Sequence, residues 1–283
     1  MYYFDMQTYT HENILHKKQF DLQFTIRFDL IIDNNFYSPF HWHNHIEVIY
    51  MLEGKVELTI ENKSRILEPG EIAIVNSEKI HSSKLHGKAK YILLQVPLSA
   101  LSTVDGDADN YVYLDYIPKE NTSKLSNILM QMLDVSNGTA PGIKLKFVSL
   151  LYELLFVMIS SYRAKTLLSE ISVFSKSGIN RISPVISYIE KNFRKEISLS
   201  DAASIINVTP EHLCRIFKAY TKQTLTEYIT SLRIASFYQS LQNSTEKIST
   251  LLEENGIKNY KVFIREFKKT YGKTPQQIRQ GKN

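Results

Sequence analysis

Cysteine is almost absent from this chain, Cys214 standing alone among 283 residues. An internal disulfide is therefore excluded, and a reducing compartment fits the composition. Long apolar runs are missing too. The most apolar stretch, Phe147 to Ile159, is interrupted by Glu153 and lies between Lys146 and Arg163. It is too short to span a bilayer and reads as a buried or interfacial helix, so no membrane partner is expected. The N-terminus lacks a basic patch leading into an apolar segment, which argues against a signal peptide and for a cytoplasmic protein. Compositional bias is lacking as well. With 43% apolar and 22% charged residues the chain is ordinary globular protein, long enough for two cores.

Charge is present but unevenly placed. Residues 181–283 hold 17 Lys/Arg against 9 Asp/Glu, a net of +8, whereas the preceding part holds 17 against 20, a net of −3. A near-neutral front joined to a basic back suits a partner with a phosphate backbone, although a soluble lysine-rich surface has the same balance.

Residues 1–117 read as short strands. Val56, Leu58 and Ile60 alternate with Glu57 and Thr59, the period-two signature of a half-buried strand. Gly54-Lys55 and Pro69-Gly70 mark turns, and Ile72 to Val75 and Tyr91 to Val96 read as further strands, the latter apolar on both faces. This spacing predicts a small antiparallel barrel or jelly roll. Within it lies His41-Trp42-His43-Asn44-His45-Ile46-Glu47, with His81 further on. On one strand His41, His43, His45 and Glu47 would share a face. Three imidazoles and a carboxylate can hold a divalent metal, and they can equally hydrogen-bond a polar ligand or simply face solvent. The pattern His41-x-His43-x3-Glu47-x6-Gly54 resembles the first metal-site motif of the cupin family, and His81 falls where the second motif supplies its last histidine. Asn76 and Glu78 depart from that second motif, standing where cupins usually have proline and glycine. The resemblance implies a small-molecule pocket built from His41, His43, His45, Glu47 and His81. It requires no cofactor, while leaving His41, His43, Glu47 and His81 as candidate ligands of a divalent metal and an enzymatic role open. No separate acid–base pair or nucleophile stands out in the sequence.

Residues 118–168 have helical periodicity, over Lys119 to Leu133 and Gly142 to Leu168. Leu150, Leu151, Leu154, Leu155, Met158 and Ile159 make a wide apolar surface. One face can cover the barrel while another meets a second subunit, and a buried helix within a monomer explains the same pattern. Residues 169–180, serine-rich and including Gly178, read as a linker.

Residues 181–283 contain one pattern twice, about fifty residues apart. In the first copy Ser198 caps a helix over Leu199 to Ile206, with Asp201 completing a capping box. Asn207-Val208 turns the chain, Thr209 caps the next helix, and Pro210 takes its first position. Ile182, Val185, Ile186 and Ile189 mark a helix before this block, with Pro184 in its first turn. Leu213, Ile216, Phe217 and Tyr220 face inward, leaving Glu211, Cys214, Arg215 and Lys218 outward. In the second copy Leu251 and Leu252 support, Gly256 permits the turn, and Asn259 caps. Phe263 and Phe267 face inward, while Tyr260, Lys261, Ile264, Arg265 and Lys268 line the outer face. Between the copies, Thr224 and Glu227 form a capping box that opens a helix from Leu225 to about Gln242.

These residues resemble the DNA-binding domain of the AraC/XylS family of bacterial transcription regulators. The match rests on Leu199, Ala203, Leu213, Phe217-Lys218, Tyr228, Arg233, Gly256, Phe263, Phe267-Lys268, Tyr271-Gly272 and Pro275, and is most specific over Phe263 to Arg279. Lys222 departs from a usual glycine, Phe237 and Leu252 from usual alanines, and Ile257 from a usual phenylalanine. The resemblance implies an α+β protein: a cupin-like β-barrel with a helical dimerisation segment, then an all-α domain with two helix-turn-helix motifs. It implies a homodimer that binds double-stranded promoter DNA, with Arg215 and Arg265 foremost in the groove. A small-molecule effector, a sugar being the usual expectation, and activation through RNA polymerase complete what it implies. The alternative is a metal-dependent cupin enzyme with a DNA-targeting C-terminal domain.

Overall fold

A computed structural model describes residues 14–21, 25–34, 36–43, 45–61, 63–102, 113–164, 173–221 and 223–280. Its strands are β1 (Ile14–Asp21), β2 (Thr25–Asn34), β3 (Tyr37–His41), β4 (His45–Glu53), β5 (Val56–Ile60), β6 (Lys63–Leu67), β7 (Ile72–Val75), β8 (His81–Leu85), β9 (Lys88–Pro97) and, after the short helix α1 (Leu98–Ser102), β10 (Tyr116–Ile117). The helices that follow are α2 (Ser123–Ser136), α3 (Ile143–Ser161), α4 (Val173–Asn192), α5 (Leu199–Ser204), α6 (Pro210–Thr221), α7 (Leu225–Asn243), α8 (Ile248–Glu254), α9 (Tyr260–Tyr271) and α10 (Pro275–Gln280). The described residues divide into two compact units, one within 14–34 and 42–164, the other within 173–280 together with the segment 36–41.

The strands form a six-stranded sheet of order β1-β2-β9-β4-β7-β10 and a four-stranded sheet of order β3-β8-β5-β6. Every pairing resolved in register is antiparallel. Period two sorts the larger sheet cleanly. Its even-numbered positions, among them Ile26, Phe28, Val48, Ile74, Ile92 and Leu94, join one buried cluster with Leu125, Leu129, Phe147, Leu151 and Leu154 from α2 and α3. Phe28 and Phe147 meet edge to face with ring centroids 5.3 Å apart. The helices therefore cover one face of the sheet, and the odd-numbered positions turn to the interior.

Helix α3 ends at Ser161, short of the Leu168 expected from its periodicity, and Arg163 forms an isolated antiparallel bridge to Tyr113. Residues 165–168, the tail of that expected helix, lie outside the described residues. Helix α2 likewise starts at Ser123 rather than Lys119, because residues 119–121 form a 3-10 turn instead.

In the second unit the helix before the first repeat begins at Val173, so its backbone takes in residues 173–180 of the expected linker; residues 169–172 lie outside the described residues. Pro184 consequently sits inside α4, not in its first turn. A mid-helix proline costs about 3 kcal/mol in isolation. Here Ile182, Val185, Ile186 and Ile189 are all buried, and the packing of that stripe holds the helix together across the break. Helix α5 stops at Ser204, two residues before the expected Ile206.

Candidate nucleic-acid interface and barrel pocket

Each repeat is built from local signals. Ser198 caps α5 through its hydroxyl, which accepts from the Asp201 amide at 3.0 Å; no return bond from the Asp201 carboxylate to Ser198 is seen among the described residues, so the expected capping box is half made. Thr209 Oγ1 accepts from His212 N at 3.2 Å and starts α6, while Asn259 Oδ1 accepts from Val262 N at 3.1 Å and starts α9. Both turns need left-handed backbone, supplied by Asn207 (φ 53°) in the first copy and Gly256 (φ 68°) in the second. The capping box of α7 is complete: Thr224 Oγ1 accepts from Glu227 N at 3.2 Å, and Glu227 Oε2 accepts from Thr224 N at 2.8 Å.

The two cores differ in content. Leu213 and Phe217 are fully buried in the first, Phe217 meeting Tyr228 edge to face at 5.5 Å. In the second, Phe237 from α7 lies 4.8 Å from Phe263 and 5.6 Å from Phe267, and Tyr238 stacks on Tyr271 at 4.0 Å. Phe237, Leu252 and Ile257, three of the departures from the family pattern, all belong to this one cluster, so they repack it together. Lys222, the fourth, lies outside the described residues.

With those cores filled, Glu211, Cys214, Arg215 and Lys218 stand exposed along α6, and Tyr260, Lys261, Arg265 and Lys268 along α9. Ile264 departs from expectation: it is half-buried and packs on the Phe237 cluster, while Val262 is exposed in its place. Helix α9 carries four cations and one carboxylate, α6 two cations and one carboxylate, so the second helix is the more basic. Arg265 Nε is 3.0 Å from Glu266 Oε1, and Arg215 Nη2 lies 3.5 Å from His212 Nδ1. Arg233, one of the residues that carry the family resemblance, is not part of this surface. It donates to the carbonyls of Phe193 at 2.6 Å and Lys195 at 2.8 Å.

The histidine-rich segment does not form one strand. β3 ends at His41 in the four-stranded sheet, residues 42 and 43 are non-strand, and β4 starts at His45 in the six-stranded sheet. The expected common face of His41, His43, His45 and Glu47 is thereby broken. His43 nevertheless turns back onto Glu47, its Nε2 lying 3.1 Å from Oε2. His81 on β8 brings its Nε2 to 3.9 Å from Glu47 Oε1, and its ring to 4.9 Å from that of His43. The amide of Gln95, opposite Glu47 on β9, donates to Glu47 Oε2 at 2.6 Å. His45 is only half-buried, its ring 5.6 Å from that of His43. Burial holds His81 and His45 down at about 4, with Glu47 opposing in both cases, so both rings are neutral at neutral pH.

In His41, His43 and His81 alike, Nδ1 faces a backbone carbonyl: Pro39 at 2.8 Å, His45 at 3.1 Å and Lys79 at 2.8 Å. A nitrogen facing a carbonyl must carry the proton, which leaves Nε2 of the neutral His81 ring with its lone pair, whereas Nε2 of His43 faces the Glu47 carboxylate. That is the tautomer in which imidazole accepts a hydrogen bond or ligates a metal, and ring nitrogens of His41, His43 and His81 lie within 4.8 Å of one another, a spacing that fits a divalent cation.

Register explains the residues that sequence reading missed. Arg27 pairs with Gln95 and Gln95 with Glu47, so the three form one polar row on the odd-numbered face. Asp29, fully buried one step along, accepts from Arg27 Nε at 2.5 Å, and its Oδ1 has no hydrogen-bond partner among the described residues. Tyr91 lies on the same face, and burial together with Asp33, Glu47 and Asp29 pushes its phenol above the ordinary range, Arg27 opposing. The signal was the alternation of Arg27 with Asp29 and the single glutamine in an apolar run.

Both departures from the second cupin motif have structural roles. Asn76 holds the β10 approach, donating to Tyr113 O and Asp115 Oδ1 at 3.0 Å each and accepting from Tyr113 N at 2.8 Å. Glu78 keeps the left-handed backbone of the usual glycine, at φ 64°, and its amide donates to His43 O at 3.0 Å. That bond ties the His43 turn to the segment leading to His81.

A β-sheet unit with a buried polar row, joined to a helical unit with two helix-turn-helix motifs, defines a cupin-type barrel coupled to a nucleic-acid-binding domain. Residues 30–97 match the cupin domain and residues 202–281 match the helix-turn-helix domain. The chain therefore carries a cupin domain followed by an AraC-type helix-turn-helix domain, the pairing of a transcription regulator. It is 23% identical over 241 residues to a probable transcriptional regulator, LumQ, of Photobacterium leiognathi, covering 84% of this chain and 90% of that one. It is 25% identical over 244 residues to an uncharacterized HTH-type transcriptional regulator of Staphylococcus aureus, spanning 86% of this chain but only 32% of that relative. The Msm operon regulatory protein of Streptococcus mutans is 23% identical, with 81% and 82% covered. Among solved structures, ToxT from Vibrio cholerae shares the fold at a TM-score of 0.52 and 14% identity, with 89% of this chain and 97% of that one covered.

Proposed function

We propose that this chain is a ligand-responsive, sequence-specific transcription regulator that reads promoter DNA through α6 and α9. The observation that carries this reading is the pair Arg215 and Arg265, exposed at matching positions on two helices whose buried partners Leu213 and Phe263 also match. Arginine is the residue best shaped for the O6/N7 edge of guanine, and Lys218 and Lys268, one turn on, suit phosphate. Each such arginine contact discriminates by about 1–3 kcal/mol, so Arg215→Ala combined with Arg265→Ala weakens binding to a promoter duplex at least ~30-fold. Unchanged affinity in a fluorescence titration at fixed salt would refute the groove assignment.

The barrel unit binds a small polar effector. Arg27, Asp29, Gln95, Glu47, His43 and His81 offer donors and acceptors in close alternation, which suits a polyhydroxylated molecule such as a sugar. His41 and His45 extend this set as flanking candidates. A second copy of the chain docks on α3, and the regulator acts in the cytoplasm as an activator that contacts RNA polymerase; a run-off transcription assay with and without effector separates activation from repression.

A second reading, a metal-dependent cupin enzyme targeted to DNA, is favoured by the common Nδ1–carbonyl arrangement. Its ligands would be His41, His43 and His81 with Glu47, and the metal would supply Lewis acidity there. Stoichiometric metal in the purified protein together with turnover would favour it; an occupied organic pocket without metal speaks for the sensor.

A further inference from the structure

The segment Phe193 to Glu196, between α4 and α5, belongs to neither reading helix, yet three contacts converge on it. Arg233 of α7 donates to the Phe193 and Lys195 carbonyls, at 2.6 and 2.8 Å. Arg194 Nη2 donates to Ser236 Oγ, also on α7, at 3.1 Å. From the other side comes Gly256, in the turn between α8 and α9. A Cβ placed on Gly256 would lie 2.1 Å from the Arg194 carbonyl oxygen and 2.7 Å from its carbon. Backbone just ahead of the first motif thus meets the turn backbone of the second directly. Gly272 provides the contrast: its φ of 71° is equally left-handed, but a Cβ there would meet nothing within 4 Å among the described residues. Lys258 and Glu196 span the same junction at 2.7 Å, but that pair is fully exposed, so it adds little to the contact.

We infer that the Arg194–Gly256 contact, with Arg233 as its brace, is a spacing gauge: it fixes α9 relative to α6 and so selects the separation of the two DNA subsites. α7 alone leaves this relation loose, because a single connecting helix sets distance but not rotation about its own axis. The inference rests on the proposed reading of DNA by both helices, and it concerns positioning residues, not contacts to bases.

The test has one arm without DNA and one with it. Spin labels on the native Cys214 and on a Lys261→Cys variant report the separation of the two helices. The wild-type background gives a narrow distance distribution, and Gly256→Ala broadens or shifts it. Gly272→Ala meets the same backbone strain without the contact and leaves it narrow. In the DNA arm, duplexes carry the two subsites at the selected spacing or with two base pairs inserted, a rotation of about 70°. Wild type loses at least tenfold in affinity on insertion, whereas Gly256→Ala binds the selected spacing less well and distinguishes the two duplexes less than threefold. Should Gly256→Ala fail to fold, Arg233→Gln, which loosens the same segment, carries the same expectations. A narrow wild-type distribution left unchanged by both variants would overturn the gauge, even if DNA binds. Conversely, failure to bind any duplex, with the label distances behaving as described, would refute the DNA reading and leave the mechanical coupling standing.

Discussion

Tyr228 donates its phenolic hydrogen to Glu190 Oε1 at 3.1 Å, joining α7 to α4 through a carboxyl group inside the helical unit. Burial pushes Glu190 up to about 7, with the Tyr228 bond opposing. The folded chain therefore holds a proton that the unfolded chain has lost between about pH 4.5 and 7. Because the unfolded state binds fewer protons in that window, stability falls as pH rises through it and levels off above 7. Glu190→Gln keeps an acceptor for Tyr228 and removes the buried charge. The variant should exceed the wild type by about 1–3 kcal/mol at pH 8 and match it near pH 4.5, as read from urea unfolding at a series of pH values.

Phe237 fills a place that alanine usually takes, and it is the hub of the second repeat, touching both Phe263 and Phe267 edge to face. Restoring the smaller residue does not restore a smaller core, because the neighbours are sized for the ring. Phe237→Ala should cost roughly 3–5 kcal/mol in chemical denaturation. Amide exchange should speed up first in α8 and α9, whose cluster loses its centre, and least in α6.

How far the sequence disclosed all this depends on the range of the interaction. Thr224 with Glu227, Thr209 with Pro210, and Asn259 act within one helical turn, and each appears where its spacing placed it. Gly256 was legible as a turn glycine, but its approach to Arg194 joins residues 62 apart, and no local pattern encodes that. The histidine segment failed in the opposite sense. Its period of two implied one strand, yet the chain breaks at Trp42 and His43 and changes sheet, and Glu47 still meets His43 because the turn folds back. Arg27 and Asp29 stayed hidden because their membership of the buried polar row depends on strand register between distant segments. Pro184 misled for an energetic reason: a local penalty was read as decisive where burial of a four-residue stripe outweighs it.

Lys218 and Lys268 end the outward stripes of α6 and α9, each one turn beyond its arginine and each exposed. In the proposed reading a lysine in that position meets phosphate, whose attraction is independent of sequence and carried by counterion release. Replacing both by alanine should reduce the slope of log affinity against log salt by about 2 while leaving the preference between cognate and scrambled duplexes nearly intact. The arginine variants should do the reverse, losing preference with a smaller change in slope.

Helix α3 buries Phe147, Leu150, Leu151, Leu154 and Met158 against the sheet and still exposes apolar side chains on its far side. Leu145 is 76% exposed, Phe156 68% and Tyr152 39%, and with Ser149 they run at spacings of four, three and four along one face. Single exposed apolar residues are ordinary, but three in register on one helix form a seam. Lys146 and Glu153, both exposed, lie two turns apart beside it, so an antiparallel second copy of α3 would set each glutamate near the partner's lysine. For the proposed second copy on α3, that complementarity favours a two-fold pairing of like chains over a foreign partner. Leu145→Glu combined with Phe156→Glu should convert a dimer into a monomer in sedimentation velocity, leaving the circular dichroism spectrum unchanged because neither residue belongs to the core. Lys146→Glu alone should weaken the dimer, and adding Glu153→Lys should recover it. If the double glutamate variant sediments like the wild type, the seam is not the interface.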